Sequence, residues 1–471
     1  MRELFERQRR AFLEDPFPSA KVRVDRLRRV KELVRAHQDE LIDACGSDFG
    51  SHSRHQAQMS EIFAVMTCID HALKNVRHWM KPERRRVDFP LGLLGARARV
   101  EYQPKGVVGN ISTWNFPVYV SLSPLAGIFA AGNRAMIKFS EYAPQTAELL
   151  HELIARYFDD SECTGITGGP DVGAAFASLP FDHLLFTGGT ATGRLILRAA
   201  AENLTPVTLE MGGKSPVIVG RSYPIGKAAE RIMTGKALNV GQACLAPDYC
   251  FVPRESLEAF AGEATRHVSA MFPAIVANPD YTSIVNERHF RRLTQLIDDA
   301  AAKGADVRQI NPAGEDFSDP ACCARKLPMT LVIEPTDDMA VMQEEIFGPI
   351  LCVKTYGDLR ECIDYINARP RPLGLYYFGN DRREQRWVLE HTTSGGVTVN
   401  DVLVHASCED LPFGGIGPSG MGAYHGYAGF LTFSHQKAVY RQSPLDLMKM
   451  GGMIPPYGEQ CQKRLDKMTR R

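Results

Sequence analysis

The chain has 471 residues, of which 44% are hydrophobic and 23% are charged, and its 55 basic side chains balance 55 acidic ones. This length exceeds what one hydrophobic core usually serves, and the composition is that of an ordinary globular protein with two or three domains. The neutral balance argues against nucleic-acid binding, because proteins with that function usually carry a basic surface.

The cysteine count and the hydropathy of the sequence indicate the cellular compartment. The 11 cysteines are an odd number without a repeated spacing, which favours free thiols in a reducing compartment. The basic N-terminus is interrupted by acidic residues and is not followed by an apolar segment, so a secretory signal is not expected. No run approaches the ~20 apolar residues of a spanning helix. We therefore expect a cytoplasmic protein with no membrane partner.

The first part of the chain has the spacing of amphipathic helices. Two predicted apolar faces consist of Leu27, Val30, Val34 and Leu41, and of Ile62, Val65, Ile69 and Leu73. The segment from Val87 to Tyr102 then places Pro90, Gly92 and Gly95 between apolar stretches, which predicts a hairpin-like excursion.

From Gly106 onward, short apolar runs alternate with helical stretches. The predicted strands include residues 107–108, 135–137, 184–186 and 217–219, and the predicted helices include residues 146–158 and 193–201. This alternation favours a parallel sheet of Rossmann type. A second alternating region begins near Met211, and the residues beyond about 400 are rich in glycine and aromatic side chains.

Two glycine-flanked segments contain the residues with the most reactive chemistry. Cys244 lies in Asn239-Val240-Gly241-Gln242-Ala243-Cys244-Leu245-Ala246-Pro247, and Glu210 lies 34 residues earlier in Leu209-Glu210-Met211-Gly212-Gly213-Lys214-Ser215-Pro216. A lone cysteine is most often a small buried apolar side chain. A thiol and a carboxylate that are both set among glycines instead suggest a nucleophile and a general base beside a closely approached ligand.

These two segments and five others, in the same order, resemble the signature blocks of the aldehyde dehydrogenase superfamily. The other blocks are residues 113–117, 137–141, 186–190, 344–349 and 411–415. The stretch 420–426, continued by 433–435, is similar to the shorter class 3 branch, and within it the chain most resembles the coniferyl aldehyde dehydrogenases. The similarity covers roughly residues 20–440.

The resemblance implies an α/β fold with a Rossmann-type cofactor domain, an α/β catalytic domain and a small β oligomerisation arm. The implied division assigns residues 1–85 and 104–211 to the NAD(P)-binding domain and residues 212–400 to the catalytic domain. Residues 86–103 and 401–445 form the arm and C-terminal region, and residues 446–471 form a tail. The arm and the glycine-rich C-terminal region imply a homodimer.

The resemblance also implies catalytic roles. An aldehyde loses hydride readily only after a nucleophile has added to its carbonyl, and Cys244 fills that role. Asn115 and the backbone N–H of Cys244 match the oxyanion donors. Glu210 would activate the water that hydrolyses the thioester, and its presence favours water over coenzyme A as acyl acceptor.

The implied cofactor is NAD, with NADP as a possible substitute. The matching cofactor-binding residues are Lys138, Glu141, Gly188, Gly189, Thr190, Gly193, Glu345 and Phe347. Lys138 and Glu141 match the residues that hold the adenosine ribose, and a carboxylate there disfavours a 2′-phosphate. Glu345 and Phe347 match the residues beside the nicotinamide ribose and ring.

The sequence leaves alternatives open on substrate and class. The subfamily resemblance implies an aromatic or phenylpropenoid aldehyde, and a medium-chain aliphatic aldehyde is the alternative. A non-catalytic protein that keeps the fold would be free to lose Cys244 or Glu210, and a cysteine hydrolase would usually need a histidine base.

The remaining histidines and cysteines are expected to be bystanders. His52 and His55 have the spacing of metal ligands, but no further ligand cluster accompanies them, so we expect surface histidines and no metal site. The cysteines expected to take no part in catalysis are Cys250, Cys322, Cys323 and Cys408. Cys408, close to the block at 411–415, is a candidate to line the substrate mouth.

Overall fold

The computed structural model describes residues 1–317 and 323–470, so Cys322 lies outside the described residues. The helices are α1 (Arg2–Glu14), α2 (Ala20–Ala36), α3 (Gln38–Phe49), α4 (Arg54–Ala57), α5 (Ala64–Trp79), α6 (Pro117–Leu122), α7 (Leu125–Ala131), α8 (Pro144–Tyr157), α9 (Pro170–Ala177), α10 (Thr190–Ala201), α11 (Ile225–Ala237), α12 (Leu257–Met271), α13 (Glu287–Ala302), α14 (Ala340–Gln343), α15 (Leu359–Asn367), α16 (Arg382–His391), α17 (Gly426–Thr432), α18 (Leu447–Met450) and α19 (Glu459–Thr469). The strands are β1 (Glu83–Arg85), β2 (Arg97–Pro104), β3 (Val107–Ile111), β4 (Arg134–Lys138), β5 (Cys163–Ile166), β6 (His183–Gly188), β7 (Val207–Met211), β8 (Ser215–Val219), β9 (Pro247–Pro253), β10 (Asp306–Ile310), β11 (Met329–Ile333), β12 (Ile350–Tyr356), β13 (Gly374–Phe378), β14 (Gly396–Val399), β15 (Gly420–Met421) and β16 (Ser434–Arg441).

The first sheet has the strand order β15-β7-β6-β3-β4-β5. Its strands run parallel except for β15, which pairs antiparallel with β7. Every residue of β3 and β4 is buried, as expected for a parallel sheet that is covered on both faces. The predicted strands at 107–108, 135–137 and 184–186 and the helices at 146–158 and 193–201 fall on β3, β4, β6, α8 and α10. The prediction of a parallel α/β fold is confirmed.

The second sheet has the order β10-β11-β12-β9-β8-β13-β14, and only β10 runs antiparallel. Its central strands β8 and β9 are buried along their whole lengths. The predicted strand at 217–219 lies in β8. The second alternating region that was expected from Met211 onward therefore builds a sheet of its own.

A third, antiparallel sheet has the order β1-β2-β16. β1 and β2 form the expected hairpin, but the pairing begins at Glu83, which lies opposite Val100. β16 pairs along the whole of β2, from Ser434 opposite Pro104 to Arg441 opposite Arg97. The hairpin and the C-terminal region thus build one sheet, while the domain division stays a prediction.

The N-terminal helices differ from prediction in two places. Leu41 does not continue the face of Leu27, because α2 ends at Ala36 and Leu41 lies in α3. Ile62 lies in a π-helical turn, Gln58–Phe63, that precedes α5. Glu61 is buried in the same turn, and its carboxylate accepts the backbone N–H of Tyr119 at 2.7 Å. Burial raises the pKa of Glu61 to about 8.

No helix within residues 1–317 and 323–470 is both long enough and apolar enough to span a bilayer. The segment that was assigned as a tail contains α18 and α19, and Cys461 of α19 is buried.

Candidate active site

The predicted site residues meet where two sheets face each other. In the first sheet, Asn115, Glu141 and Gly189 all follow the carboxyl ends of parallel strands, namely β3, β4 and β6. Glu210 lies near the carboxyl end of β7, opposite Thr187 of β6. The crevice outside the carboxyl ends of parallel strands is the usual ligand site of such sheets.

The second sheet contributes residues from the amino ends of its strands. Cys244 directly precedes β9, Glu345 precedes β12, and the Gly212-Gly213 pair precedes β8. Ser215 of β8 pairs with Pro247 of β9, so these amino ends lie side by side. Cys244 lies beside Glu210 of the first sheet, so the amino ends of these strands adjoin the carboxyl ends of the first sheet.

The loop that carries the thiol has an unusual backbone. Asn239 and Val240 have positive φ angles of 48° and 44°, a conformation that costs free energy for residues other than glycine. Asn239 compensates with side-chain hydrogen bonds from its Nδ2 to the carbonyl of Asn115 at 2.8 Å and to that of Gln242 at 3.2 Å. Gln56 also accepts the backbone N–H of Asn239 at 2.9 Å. The sequence interpretation gave Asn239 no role.

Gln242 fixes the other side of this loop. Its Nε2 donates to the carbonyls of Asn239 at 3.2 Å and Ser283 at 3.1 Å, and its Oε1 accepts the Val285 N–H at 3.0 Å. The side chain is fully buried. A buried amide with all of these partners holds the loop in one conformation. Sequence analysis assigned no role to Gln242 or to Asn239. The only signal for Gln242 was its position two residues before Cys244 in a glycine-containing segment.

Asn115 lies against the same loop. Its Nδ2 donates to the Gln242 carbonyl at 3.2 Å, and its Oδ1 is buried without a partner among the described residues. A side-chain amide has two N–H donors. One donor therefore anchors Asn115 to the cysteine loop, and the second is free for a ligand.

We expect Asn115→Ala to lower kcat/KM by about 10²–10³-fold, the usual effect of removing one preorganised oxyanion donor. Binding of the dinucleotide, followed by fluorescence, should change little, because Asn115 lies on the side of the thiol loop. Unchanged turnover would show that the oxyanion is stabilised by other groups.

Cys244 is partly accessible although it lies deep in the protein. Burial raises the pKa of its thiol well above the usual value, and the neighbouring Glu210 and Glu345 carboxyls raise it further. A hydrogen bond from its own backbone N–H lowers the pKa of the thiol. The resting residue is therefore a neutral thiol that needs a base when it attacks.

Glu210 is the nearest candidate for that base. It is 1% exposed, and neither carboxylate oxygen has a hydrogen-bond partner among the described residues. Burial raises the pKa of Glu210 well above its usual value, while the adjacent Cys244 thiol favours the carboxylate. A buried carboxyl with a raised pKa beside a thiol is the arrangement expected of a general base.

Close backbone packing sets the position of Glu210. Gly420 of β15 lies opposite Glu210, and a Cβ at Gly420 would come within 2.5 Å of the Leu209 carbonyl. Only glycine allows this approach. The C-terminal glycine-rich stretch therefore covers the open edge of β7 beside the Glu210 carboxyl.

Glu345 belongs to the same group of carboxyls. Its Oε1 accepts the Gly213 N–H at 2.9 Å, and a Cβ at Gly212 would lie 2.0 Å from that oxygen. Burial raises the pKa of Glu345 to about 7, and Asp248 raises it as well. The glycine pair that precedes Lys214 thus makes room for this carboxyl beside Cys244 and Glu210.

A buried ion pair holds the segment of Glu345. Lys214 pairs with Asp248 and donates to the carbonyls of Val341 at 2.6 Å and Glu344 at 3.0 Å. Asp248 accepts the Ile346 N–H at 2.9 Å. Lys214 and Asp248 were missed as functional residues. The only sequence signal was that Lys214 follows two glycines. Its partners Asp248 and Val341 lie too far along the chain to be identified from sequence.

Phe347 has a positive φ of 49° and packs edge-on against Trp114, with 5.4 Å between the ring centroids. Its ring is half-buried. The structure thus brings Phe347 next to the segment that carries Asn115, on the same side of the crevice as Glu345.

The residues predicted to bind the adenosine ribose are an ion pair. Lys138 Nζ lies 3.0 Å from Glu141 Oε2, and the lysine is buried while the glutamate is exposed. Gly173 of α9 lies beside the lysine, since its Cβ would be 3.8 Å from Lys138 Cε. An exposed carboxylate held by a buried lysine suits a ribose hydroxyl.

The glycine loop begins α10. Gly188 ends β6, and Gly189 is the N-cap residue, with open space around its Cβ position. No side chain caps the helix, so its first N–H groups are free for a phosphate. A Cβ at Gly193 would lie 2.5 Å from Met211 Sδ, and Thr190 donates to the Pro418 carbonyl at 3.0 Å. These residues fit a dinucleotide.

The two histidines with the spacing of metal ligands and the described cysteines expected to be bystanders lie outside the group of Cys244, Glu210 and Asn115. His52 is half-buried rather than on the surface, where it bonds Thr282 Oγ1 at 3.0 Å and stacks on Phe49, while His55 is exposed. The described part of the chain contains no group of three side chains that is placed to hold a metal ion. Cys250 and Cys323 are buried, and Cys408 is exposed.

A parallel α/β fold places a thiol, a buried carboxyl and a side-chain amide close together, an arrangement suited to covalent catalysis. A model of the aldehyde dehydrogenase family matches residues 5–439, and this chain belongs to that family. The resemblance inferred from the seven sequence blocks is confirmed.

Two curated relatives and one solved structure are similar to this chain over nearly its whole length. The chain is 54% identical to a probable coniferyl aldehyde dehydrogenase of Caulobacter vibrioides over 99% of this chain and 96% of the relative. It is 51% identical to the coniferyl aldehyde dehydrogenase of a Pseudomonas species over 96% and 93% of the two chains. The substrate-bound AldH of Staphylococcus aureus superposes with a TM-score of 0.91 at 35% identity, covering 99% of each chain.

Proposed function

We propose that this protein oxidises an aldehyde to the carboxylic acid with NAD(P), using Cys244 as nucleophile and Glu210 as general base. The observation that supports this most strongly is the buried pair of Cys244 and Glu210, with Asn115 on the adjoining loop. A cysteine hydrolase would usually need a histidine base, and the base beside this thiol is a carboxyl.

The first step is addition of the thiol to the aldehyde carbon. The Sγ–C bond forms as the carbonyl π bond becomes an oxyanion, and the thiol proton passes to Glu210. The free amide N–H of Asn115 and the backbone N–H of Cys244 stabilise the oxyanion in this tetrahedral thiohemiacetal. A thiol with a raised pKa requires this proton acceptor at neutral pH.

The bound dinucleotide supplies the hydride acceptor. Lys138 and Glu141 would hold its adenosine ribose, the Gly188–Gly193 loop its phosphates, and Glu345 and Phe347 its nicotinamide end. Loss of hydride leaves an acyl group on Cys244 as a thioester. Glu210 first releases the proton of the thiol to solvent, then takes a proton from water, and the hydroxide adds to the thioester carbonyl. The carboxylic acid leaves as the Cys244 thiolate regains this proton from Glu210.

Glu141 would favour NAD over NADP, because its carboxylate accepts from a free 2′-hydroxyl and repels a 2′-phosphate. We expect Glu141→Ala to raise the ratio of kcat/KM for NADP to that for NAD by about tenfold, as for loss of a charged hydrogen bond. Glu148→Ala, a change at an exposed glutamate of α8, is the matched control. An unchanged ratio would assign cofactor choice to other groups.

The substrate we propose is an aromatic, phenylpropenoid aldehyde such as coniferyl aldehyde. Support comes from relatives of that name that are 54% and 51% identical over nearly the whole chain. We also propose a homodimer assembled through the arm. Phe89 and Leu93, between β1 and β2, are 83% and 81% exposed, and a second subunit would cover such apolar side chains.

The test of this function is dinucleotide reduction by the purified, reduced protein with coniferyl aldehyde, benzaldehyde and hexanal, each with NAD and NADP. We expect the fastest reduction with coniferyl aldehyde. Faster oxidation of hexanal would favour the aliphatic alternative. Failure with every aldehyde and both dinucleotides would refute the proposed activity.

A further inference from the structure

A group of polar side chains lies near Tyr424, which is itself close to Cys244. Tyr424 is buried, and burial raises the pKa of its hydroxyl, as do the nearby side chains of Glu210, Cys244, Cys68 and Glu409. Asp410, next along the chain to Glu409, is 88% exposed in its side chain. The half-buried Glu409 therefore lies close to solvent and, through Tyr424, to the Cys244 and Glu210 side chains.

The members of this group contact one another. The Cys68 thiol donates to Glu409 Oε1 at 3.0 Å, and the Tyr119 hydroxyl lies 3.2 Å from His425 Nε2. Tyr119 also interacts with Cys68 and Glu409. We call Cys68, Tyr119, Glu409 and His425 the Tyr119 cluster.

Tyr119 is not completely enclosed by the protein. It lies deep in the protein and is nevertheless partly accessible to solvent, as Cys244 is. Both residues border the same apolar core, together with Leu403 and Ala406. Glu61 fixes the backbone of Tyr119 by accepting its N–H at 2.7 Å. Asn115, which contacts the thiol loop, lies four residues before Tyr119, so Tyr119 lies in the neighbourhood of the thiol.

Aromatic side chains surround His425 of the Tyr119 cluster. Phe413 stacks on His425 with 4.7 Å between centroids and 26° between planes, and Tyr424 packs edge-on against the same imidazole. Flat rings of this kind accommodate a planar aromatic ligand.

The Tyr119 cluster retains free hydrogen-bonding capacity. A thiol is a weak donor, so the half-buried Glu409 carboxylate is poorly satisfied by Cys68 alone. Burial lowers the pKa of His425 to about 4, so this imidazole is neutral, with one donor and one acceptor nitrogen. A hydroxyl has one donor position and two acceptor positions, so the contacts of Tyr119 with His425 and with Cys68 leave one position open.

We propose that Tyr119 and Glu409 bind the ring hydroxyl of a phenolic aldehyde whose carbonyl lies at Cys244. The inference rests on the proposed function and specifies how its substrate is chosen. The phenol O–H donates to the Glu409 carboxylate, and its oxygen meets the Tyr119 hydroxyl. A medium-chain aliphatic aldehyde would place methyl and methylene groups against these polar atoms and leave them unpaired.

The test compares 4-hydroxycinnamaldehyde with cinnamaldehyde, which differ only in the ring hydroxyl. For Tyr119→Phe and for Glu409→Gln, kcat/KM for the hydroxylated aldehyde should fall about tenfold, as expected for loss of one hydrogen bond, while cinnamaldehyde is oxidised at nearly the wild-type efficiency. Tyr440→Phe, a change at an exposed tyrosine of β16, is the matched control and should alter neither substrate.

The possible results distinguish a failure of this inference from a failure of the proposed function. Equal losses for both aldehydes would show that the cluster is only structural and would overturn the inference, as would no loss for either one. In both cases wild-type oxidation of cinnamaldehyde would leave the proposed function standing. Failure of the wild-type protein to oxidise either aldehyde would refute the function and the inference together.

Discussion

Cys244→Ala is expected to abolish aldehyde oxidation, with kcat/KM reduced by about 10⁴-fold or more, as when a covalent nucleophile is removed. The thiol is partly accessible at the base of the crevice, and the described part of the structure places no other cysteine beside Glu210. Without the sulfur, the aldehyde carbon has no tetrahedral adduct from which hydride can leave. Dinucleotide reduction measures the loss.

The variant should still bind the dinucleotide, because the residues that fit it lie at the ends of β4 and β6 and along the Glu345 segment. Tryptophan fluorescence titration with NAD tests this. Cys461→Ala is the matched control, since Cys461 is buried in α19, outside both principal sheets, and its loss should leave turnover unchanged. Retained turnover in Cys244→Ala would remove the proposed nucleophile.

Glu210→Gln is expected to trap the acyl enzyme. The amide keeps the size of the side chain but cannot accept a proton, so steady-state turnover should fall by about 10²–10⁴-fold, the usual contribution of a general base. Rapid mixing with excess aldehyde and NAD should give one burst of NADH per active site, followed by slow release.

The burst distinguishes the two roles of this residue. A burst at nearly the wild-type rate would confine Glu210 to thioester hydrolysis. A slowed burst would mean that Glu210 also accepts the thiol proton, as the raised pKa of Cys244 leads us to expect. Steady-state rates equal to those of the wild-type protein would assign the base role elsewhere, and Glu345, with its pKa of about 7, would be the next residue to test.

The parts of the fold that the sequence predicts are those governed by local patterns. β3, β4 and β6 are runs of apolar residues followed by helices, and this alternation identifies a parallel sheet without knowledge of distant contacts. Leu41 shows the limit of the same reasoning. Its spacing continues the face of α2, but the chain breaks at His37 and begins a new helix.

The candidate site shows a similar division. Cys244 and Glu210 were identified because reactive side chains among glycines form compact blocks. Asn239, Glu61 and Tyr119 were not, because their roles depend on contacts between distant segments. Asn239 bonds the carbonyl of a residue 124 positions away, and Glu61 bonds the backbone of a residue 58 positions away.

The central claim is that the acyl group of the substrate is carried on the Cys244 sulfur and released by Glu210. Its most direct test is intact-mass and peptide-mass analysis of Glu210→Gln after mixing with coniferyl aldehyde and NAD. We expect a mass increase equal to the acyl group, located on the peptide that contains Cys244. An acyl group on any other residue, or a burst of NADH without a protein adduct, would contradict the mechanism.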